Sequence, residues 1–299
     1  MIELSICIPT KNRSEYLKKT LESIVVQEAF IKGLIEIVVS DNASTDDTKN
    51  LVLEYENKFP TQFIFYRYNR EVHVSQNIYN SLTLATGRFL KLNNDTLIHL
   101  PNSLDVILNT IKVESDVHFL FFNGSINTHK KIIDKSEFLK EVSFKMTWSG
   151  AYGFWQEDIK KIKEIPKSDF PHLEMFLNLL EEKGNVRLVN KILFKSIVPQ
   201  VKGGYNLYDV FFKQYFNLLR KHFPNKNHLK EEEKIILRNH IIPWHLNCIS
   251  EPKRYQFEVE NWRKIIWENL NSSSLIGIAI IIEIEIRLMF NNLIKKLLG

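Results

Sequence analysis

The sequence predicts an α/β protein with a mostly parallel central sheet and helices on both of its faces, followed by a helical C-terminal region. Short runs rich in β-branched residues alternate with amphipathic segments through the first hundred residues. Clusters of turn-forming residues separate these segments. Beyond Gly204 the strand-like runs give way to long segments with helical periodicity.

The first strand and helix are marked by a change of period near Pro9. LSICIP is a β-rich run that this proline closes. In the next segment Leu17, Leu21 and Ile24 recur on one helical face, with Ser14 as the predicted N-cap. IEIVVS then has the composition of a strand buried on both faces, and it ends in the turn cluster DNASTDDT.

The same alternation continues through the fourth strand. A helix through LVLEYENKF precedes the third strand, QFIFYRY, and VSQNIYNSLTLATG forms the next helix. RFLKL is the fourth strand. Because parallel neighbours need a crossover between them, the order βαβαβαβ predicts a parallel sheet.

The chain divides into two predicted domains, residues 1–204 and residues 205–299. Its last segment, residues 274–299, forms a predicted amphipathic helix with Ile282, Ile286 and Met289 on one face. Its apolar run is broken by Glu283 and is well short of the roughly twenty residues that span a bilayer. Three roles remain open: a helix in a membrane interface, a contact between two copies, and a helix packed on its own domain.

Composition and charge exclude several classes of protein. Of the 299 residues, 44% are hydrophobic and 25% are charged, which suits a globular fold. The formal charge of +5 is a mild excess spread along the chain, too weak to indicate a nucleic-acid-binding protein. Cys7 and Cys248 cannot form a disulfide framework, and the N-terminal residues lack the pattern of a signal peptide. We therefore expect a cytoplasmic protein.

Polar residues follow three of the predicted strands. Pro9–Arg13, Ser40–Thr45 and Asn93–Thr96 come at the carboxyl ends of the first, second and fourth strands. Ligands of open α/β sheets bind outside these ends, so we expect the three segments to meet at one edge. Amide and carboxylate oxygens there suit Mg²⁺ or Mn²⁺ bound together with substrate phosphates. Taken singly, such residues after a strand are also ordinary turn residues.

Residues 3–100 resemble the family two glycosyltransferases of the GT-A fold. LSICIPTKNRSEYLKKTLESIVVQ is similar to the opening strand and helix of that family, and EIVVSDNASTDDT is similar to its aspartate-rich second segment. SQNIYNSLTLATGRFLKLNND resembles the segment that ends in the family's DxD motif. The LNND ending and the later PHLEMF segment resemble rhamnosyltransferase-like and abequosyltransferase-like bacterial members.

The resemblance implies a nucleotide-sugar site with a metal ligand. The residues implied to bind the nucleotide sugar are Pro9, Thr10, Asn12, Arg13, Asp41, Asn77, Asn93 and Asn94. Among them, Asp41 would accept a hydrogen bond from the nucleobase. Asp95 corresponds to the second acid of the DxD motif and would bind Mg²⁺ or Mn²⁺, whereas Asn93 replaces the first acid.

The resemblance also implies a catalytic base near the start of the helix that Pro171 begins. His172 and Glu174 both lie in its first turn, but their side chains differ in direction by roughly 200°, so we do not expect both to face one cleft. We predict Glu174 as the base, because family two enzymes generally use a carboxylate. His172 would then be a metal or diphosphate ligand or a packed side chain, and Glu157 and Asp158 are the next candidates for the base.

The predicted function is inverting transfer of a hexosyl or deoxyhexosyl group from a nucleotide-diphosphate sugar to a hydroxyl of a lipid-linked or surface glycan, such as O-antigen or capsule. The base would remove the acceptor proton while the metal stabilises the leaving diphosphate. The alternative is a non-catalytic nucleotide-sugar-binding or scaffold subunit with the same fold. A dinucleotide-dependent oxidoreductase is disfavoured, because no glycine-rich loop follows any strand.

The expected partners follow from this function. They are the nucleotide-sugar donor and a glycan or lipid-linked oligosaccharide acceptor, and nucleic acid is not expected. Peripheral contact with the inner face of the cytoplasmic membrane and a homo-oligomer are further alternatives that the last helix leaves open.

Overall fold

The structure, a computed structural model, describes residues 1–113, 117–272 and 274–298. It divides into two compact units. Unit 1 consists of Met1–Glu137 and Lys145–Val198, and unit 2 consists of Phe138–Phe144 and Pro199–Gly299. Unit 2 thus begins near the predicted domain boundary at residue 204 and also includes a short earlier segment. Residue 299 of the predicted last helix lies outside the described residues.

Strands and helices alternate regularly through the first hundred residues and less regularly afterwards. In chain order the elements are β1 (Leu4–Thr10), α1 (Ser14–Val25), α2 (Glu28–Ile31), β2 (Ile35–Asp41), α3 (Thr48–Lys58), β3 (Phe63–Arg67), α4 (Val74–Thr83), β4 (Phe89–Leu92), β5 (Leu97–His99), α5 (Ser103–Val113), β6 (His118–Phe121), β7 (Lys131–Ile132), α6 (Lys135–Val142), β8 (Tyr152–Trp155), α7 (Gln156–Ile159), α8 (Pro171–Lys183), β9 (Val186–Val189), β10 (Phe194–Ser196), β11 (Lys202–Asn206), α9 (Tyr215–His222), α10 (Lys226–Ile236), α11 (Ile242–Ser250), β12 (Tyr255–Glu258), α12 (Trp262–Asn269) and α13 (Ser274–Leu298).

The central sheet of unit 1 has eight strands in the order β3-β2-β1-β4-β8-β6-β9-β7. The first four of these are mutually parallel, whereas β8 is antiparallel to both of its neighbours. β6 and β9 are again parallel, and β7 is an antiparallel edge strand. The predicted α/β fold with a mostly parallel sheet is therefore confirmed.

The core of unit 1 explains the apolar character of the first strands. Every residue of β2 is buried, so both faces of this strand are covered. Ile6 of β1 belongs to a core cluster that also contains Leu17 and Leu21 of α1. α4 packs against β1 and β2, with Ile78 and Leu82 buried. The helical periodicity seen in the sequence is thus the periodicity of burial against the sheet.

Asp46 joins the starts of two helices. The residue before α1, Arg13, makes no capping hydrogen bond through its side chain, and Ser14 donates its backbone N–H to Asp46 Oδ2 at 2.9 Å. Asp46 Oδ1 accepts a hydrogen bond from the backbone N–H of Thr48 at 3.1 Å, in the first turn of α3. The prediction of Ser14 as an N-cap is therefore wrong, because a carboxylate from a distant loop takes that role.

Unit 2 is mainly helical and contains the parallel strand pair β11 and β12. Glu232 of α10 is buried, and its carboxyl accepts hydrogen bonds from Tyr215 Oη at 2.8 Å and from Ser143 Oγ at 2.7 Å. Burial raises the pKa of Glu232 to about 7, and the two hydroxyl groups oppose this rise.

α13 carries apolar side chains on two sides. It packs on α11 and α12, and Ile284 is fully buried. Ile278, Ile282 and Ile286 recur every four residues and are 45%, 50% and 46% exposed, and Met289 continues the same stripe. Side chains beyond residue 290 lie outside what the structure describes. No helix among the described residues is both long and apolar enough to cross a membrane.

Candidate active site

The carboxyl ends of β1, β2 and β4 meet at one cavity, as the sequence predicts. The cavity has a volume of about 510 Å³ and lies wholly within unit 1. Because these three strands are adjacent and parallel, the polar segments that follow them share one edge of the sheet. The predicted site residues that line the cavity are Pro9, Thr10, Arg13, Asn77, Asn94 and Asp95.

Asp95 is held by groups from the first loop and helix. Its Oδ2 accepts a hydrogen bond from Thr10 Oγ1 at 2.8 Å, and its Oδ1 pairs with an Arg13 guanidinium nitrogen at 3.0 Å. Thr20 Oγ1 donates to its backbone carbonyl at 2.9 Å. Burial raises the pKa of Asp95, while the charge of Arg13 acts in the opposite direction. The carboxylate is therefore fixed in position at the cavity wall.

Asn93 and Asn94 point to different sides of the turn that follows β4. Asn93 is fully buried, with its Oδ1 3.1 Å from His99 Nε2, and its amide donates to the Asn94 carbonyl at 2.9 Å. Burial lowers the pKa of His99 to about 3, and the charge of the nearby Lys91 acts in the same direction. The imidazole is therefore neutral. Asn94 lines the cavity, 3.3 Å from Ser149 Oγ. Asn93 thus supports the turn from the core, and a direct contact between Asn93 and a nucleotide stays a prediction.

Asp41 is not among the residues that line the cavity. It is fully buried and accepts the backbone N–H of Ser44 at 3.0 Å, and its Oδ2 is 3.2 Å from Arg67 Nε. The next residue, Asn42, lines the cavity and pairs through its amide with both backbone groups of Val72, at 2.8 and 2.9 Å. Recognition of a nucleobase by Asp41 stays a prediction, whereas Asn42 fixes the loop before α4.

Asn12 and Asn77 connect the segments that surround the cavity. Asn12 has a positive φ of 51°, and its Oδ1 accepts the backbone N–H of Thr45 at 2.7 Å. Asn77 Oδ1 accepts a hydrogen bond from Ser40 Oγ at 2.7 Å, and its amide donates to the Thr10 carbonyl at 3.4 Å. Both amides therefore bridge the first two strand ends.

Neither of the two predicted catalytic residues lines this cavity. Glu174 lines a separate cleft, and its carboxylate accepts the backbone N–H of Ser168 at 3.0 Å. His172 is buried, and its Nε2 lies 3.0 Å from the Thr147 carbonyl. Burial lowers the pKa of His172 to about 4. The catalytic role of either residue stays a prediction.

The loop before α4 supplies residues that the sequence analysis missed. Glu71 and His73 line the cavity, as does Lys11 from the first loop. Lys11 Nζ and Glu71 Oε2 form an ion pair at 2.5 Å. His73 is the N-cap of α4 and lies near Asp169, which precedes α8. The position of this polar run directly before a helix N-terminus was the one signal of a site in the sequence.

Asp95 and Asn94 are the residues that fit a divalent cation. Among the residues that the structure describes, no three or more His, Cys, Asp and Glu side chains are grouped to hold a metal. One carboxylate and one amide oxygen at the cavity wall suit Mg²⁺ or Mn²⁺ when donor phosphates and water supply the remaining ligands. The chemistry of this pair therefore fits a metal that is shared with the substrate.

Curated relatives of this chain include bacterial glycosyltransferases. Abequosyltransferase RfbV of Salmonella typhimurium is 33% identical over 115 residues, which are 38% of this chain and 34% of that protein. The GalNAc(5)-diNAcBac-PP-undecaprenol beta-1,3-glucosyltransferase of Campylobacter jejuni is 29% identical over 57% of this chain and 48% of that protein. The chain thus spans about a third and about half of the length of these two relatives.

Solved structures of similar fold include nucleotide-sugar complexes. S. aureus TarS 1-349 in complex with UDP-GlcNAc superposes with a TM-score of 0.64 at 15% identity, over 89% of this chain and 80% of that one. The mannosyltransferase PcManGT from Pyrobaculum calidifontis, in complex with GDP-Man and Mn²⁺, gives a TM-score of 0.58 at 13% identity, over 97% and 84% of the two chains. At these identities the likeness concerns the fold.

The family model for Glycosyl transferase family 2 matches residues 5–165, which is more than half of the chain. This range contains all three strand-end segments and every residue named above as lining the cavity. The resemblance inferred from the sequence motifs is confirmed, and the chain belongs to glycosyl transferase family 2.

Proposed function

We propose that this protein transfers a sugar from a nucleotide-diphosphate sugar to a hydroxyl of a lipid-linked or surface glycan, with inversion at the anomeric carbon. The observation that carries the proposal is the convergence of the three strand-end segments on one cavity beside Asp95. The RfbV and undecaprenol-linked relatives, whose names describe sugar transfer, support the same reaction class.

The cavity has the charges that a nucleoside diphosphate requires. Lys11 and Arg13 bring two cationic side chains to its wall, and both are partly exposed. They would neutralise the diphosphate as it leaves with the electron pair of its bond to the anomeric carbon. The amides of Asn42 and Asn77 keep the loops in place while the acceptor hydroxyl attacks from the opposite side.

Metal dependence is part of the proposal. Asp95 and Asn94 would hold Mg²⁺ or Mn²⁺ together with the donor phosphates. Such a cation neutralises charge on the leaving diphosphate. PcManGT, whose fold is similar, is a complex with GDP-Man and Mn²⁺, and this supports the assignment. Because Arg13 pairs with Asp95 in the structure, Arg13 would release the carboxylate when a metal and donor bind.

Peripheral contact with a membrane completes the proposal. The exposed stripe of Ile278, Ile282, Ile286 and Met289 on α13 leaves apolar surface in water, and Arg287 lies beside it. An interfacial helix buries such a face at the boundary between headgroups and acyl chains. A lipid-linked acceptor would be held in the same membrane.

Binding of a panel of nucleotide sugars tests the function. A donor present at a hundredfold excess over its Kd should raise the free energy of unfolding by about 2.7 kcal/mol. The stabilisation should require Mn²⁺ or Mg²⁺ and should disappear with EDTA. Release of free sugar or its transfer to a glycan then separates an enzyme from a non-catalytic nucleotide-sugar-binding subunit. A protein that no nucleotide sugar stabilises would contradict the proposal.

A further inference from the structure

A lysine lies wholly buried in β4, in the strand that leads to Asp95. Lys91 is 0% exposed, and its Nζ is 5.7 Å from the ring centroid of Phe121 and 5.1 Å from that of Phe194. Burial lowers the pKa of Lys91 to about 7. An ammonium buried among aromatic rings costs stability that an apolar side chain would not cost, so packing of the core does not account for a lysine here.

The Lys91 ammonium joins β4 to the turn that precedes β8. It donates to the carbonyl of Leu92 at 2.8 Å and to the carbonyl of Gly150. Gly150 is the middle residue of a single 3-10 turn, Ser149–Ala151, which leads directly into β8. Hydrogen bonds from a charged donor are stronger than those between neutral groups. The ammonium therefore fixes this turn against the end of β4.

The same turn packs on Asn94 at the wall of the donor cavity. Ser149 lines the cavity together with Asn94, and Ser149 Oγ donates to Asn94 Oδ1 at 3.3 Å. A Cβ atom at Gly150 would lie 2.5 Å from Asn94 Oδ1, so the absence of a side chain allows the turn to approach this closely. The position of the turn thus determines where the Asn94 amide oxygen lies.

We propose that Lys91 is a positioning residue for the cation site, an inference that rests on the metal-dependent sugar transfer proposed above. Through the Gly150 carbonyl, its ammonium holds the turn, and the turn holds Asn94 Oδ1 at the cavity wall near Asp95. Lys91 itself does not line the cavity. Groups that orient metal ligands without touching the metal typically change metal affinity by about 10- to 100-fold when they are removed.

Lys91→Met in the full-length protein tests the role of the ammonium, because methionine fills the same buried space without a donor. The variant should bind Mn²⁺ about 10-fold more weakly or worse, measured by electron paramagnetic resonance of the free ion. Hydrogen exchange should accelerate at the backbone N–H groups of Ala151 and Tyr152, while β1 and β2 stay protected. Leu90→Val shortens the neighbouring buried side chain of the same strand, so it is the matched control and should change neither quantity.

Gly150→Ala tests the same connection from the other end. It keeps Lys91 and the Gly150 carbonyl but places a methyl group against Asn94 Oδ1, and it should weaken Mn²⁺ binding by a similar factor. Because both changes act through one turn, the double variant should lose less affinity than the product of the two single losses. Single losses that multiply would show two independent effects and would overturn the inference.

The remaining outcomes separate this inference from the proposed function. A wild-type protein that binds no Mn²⁺ would reject the proposed cation site itself. Unchanged Mn²⁺ affinity in Lys91→Met would overturn only the positioning role, and so would an increase in exchange that is spread over all of unit 1 or absent from the turn. Should Lys91→Met fail to fold, an unchanged Mn²⁺ affinity of Gly150→Ala would overturn the inference instead.

Discussion

The two compact units differ in how they distribute charge. Unit 1 contains 24 Lys and Arg residues against 24 Asp and Glu residues, whereas unit 2 contains 16 against 11. The whole formal charge of +5 therefore belongs to unit 2, and the expectation of a charge spread along the chain is wrong. A neutral unit with its polar groups gathered at one cavity suits a specific ligand. A cationic unit with an exposed apolar helix suits an anionic surface.

Each unit also contains a buried ionisable side chain with a shifted pKa, and the two pKa values are shifted in opposite directions. In unit 1, burial lowers the pKa of Lys91 to about 7, and its ammonium donates to the carbonyls of Leu92 and Gly150. In unit 2, burial raises the pKa of Glu232 to about 7. Both shifts penalise the charged form, but they give stability opposite dependences on pH.

The largest expected effect concerns the cavity of unit 1. Asp95→Ala removes the carboxylate proposed to hold the cation and should abolish metal-dependent donor binding, with a loss of transfer of at least about 100-fold. Titration of donor with and without Mn²⁺ measures this loss. Asp95→Asn is the matched variant, because it keeps an acceptor for Thr10. Full activity of Asp95→Ala would remove the metal site from unit 1.

Lys91→Met should change how the stability of unit 1 depends on pH. The folded pKa of Lys91 is about 7, below its usual 10.5, so the folded protein binds fewer protons between these values and its stability rises with pH. The full rise is on the order of 5 kcal/mol, and it should be absent in Lys91→Met. Denaturant unfolding between pH 7 and about 10 measures it, and an unchanged slope in the variant would contradict the assignment.

Glu232→Gln is the counterpart in unit 2 with the opposite sign. Its folded pKa of about 7 lies above the usual 4.5, so stability is full below pH 4.5 and falls as the pH rises toward 7. The fall is about 3 kcal/mol, and glutamine, which stays neutral, should remove it. The same unfolding series between about pH 4 and 8 measures this change. Similar slopes in Glu232→Gln and the wild-type protein would show that another group titrates.

The smallest expected effect concerns the surface of α13. Replacing Ile282 and Ile286 by serine removes two half-exposed apolar side chains, which should weaken binding to phosphatidylglycerol vesicles by about 10-fold or more. Cosedimentation with vesicles measures the binding. Ile133→Ser in unit 1 is the control, because Ile133 is 75% exposed. Equal binding by the double variant would show that this stripe of α13 is not the membrane contact.

Local pattern was sufficient for the first four strands and their helices. The alternation of β-rich and amphipathic segments predicted β1, α1, β2, α3, β3, α4 and β4 in order, because burial against a two-sided sheet imposes these periods on the sequence. The N-cap of α1 could not be predicted in this way. The backbone N–H of Ser14 binds the Asp46 carboxylate, which comes from a loop that is distant in sequence.

The sequence by itself determined that the first four strands are parallel and that three polar segments meet at one edge, since the carboxyl ends of parallel strands lie on the same side of a sheet. Tertiary structure decided which side chains face the cavity there. His99 holds Asn93 in the core, and Ser168 binds the Glu174 carboxylate, while His73 contacts Asp169. These partners lie on separate elements, and the packing of those elements sets the direction of each side chain independently of its spacing along the chain.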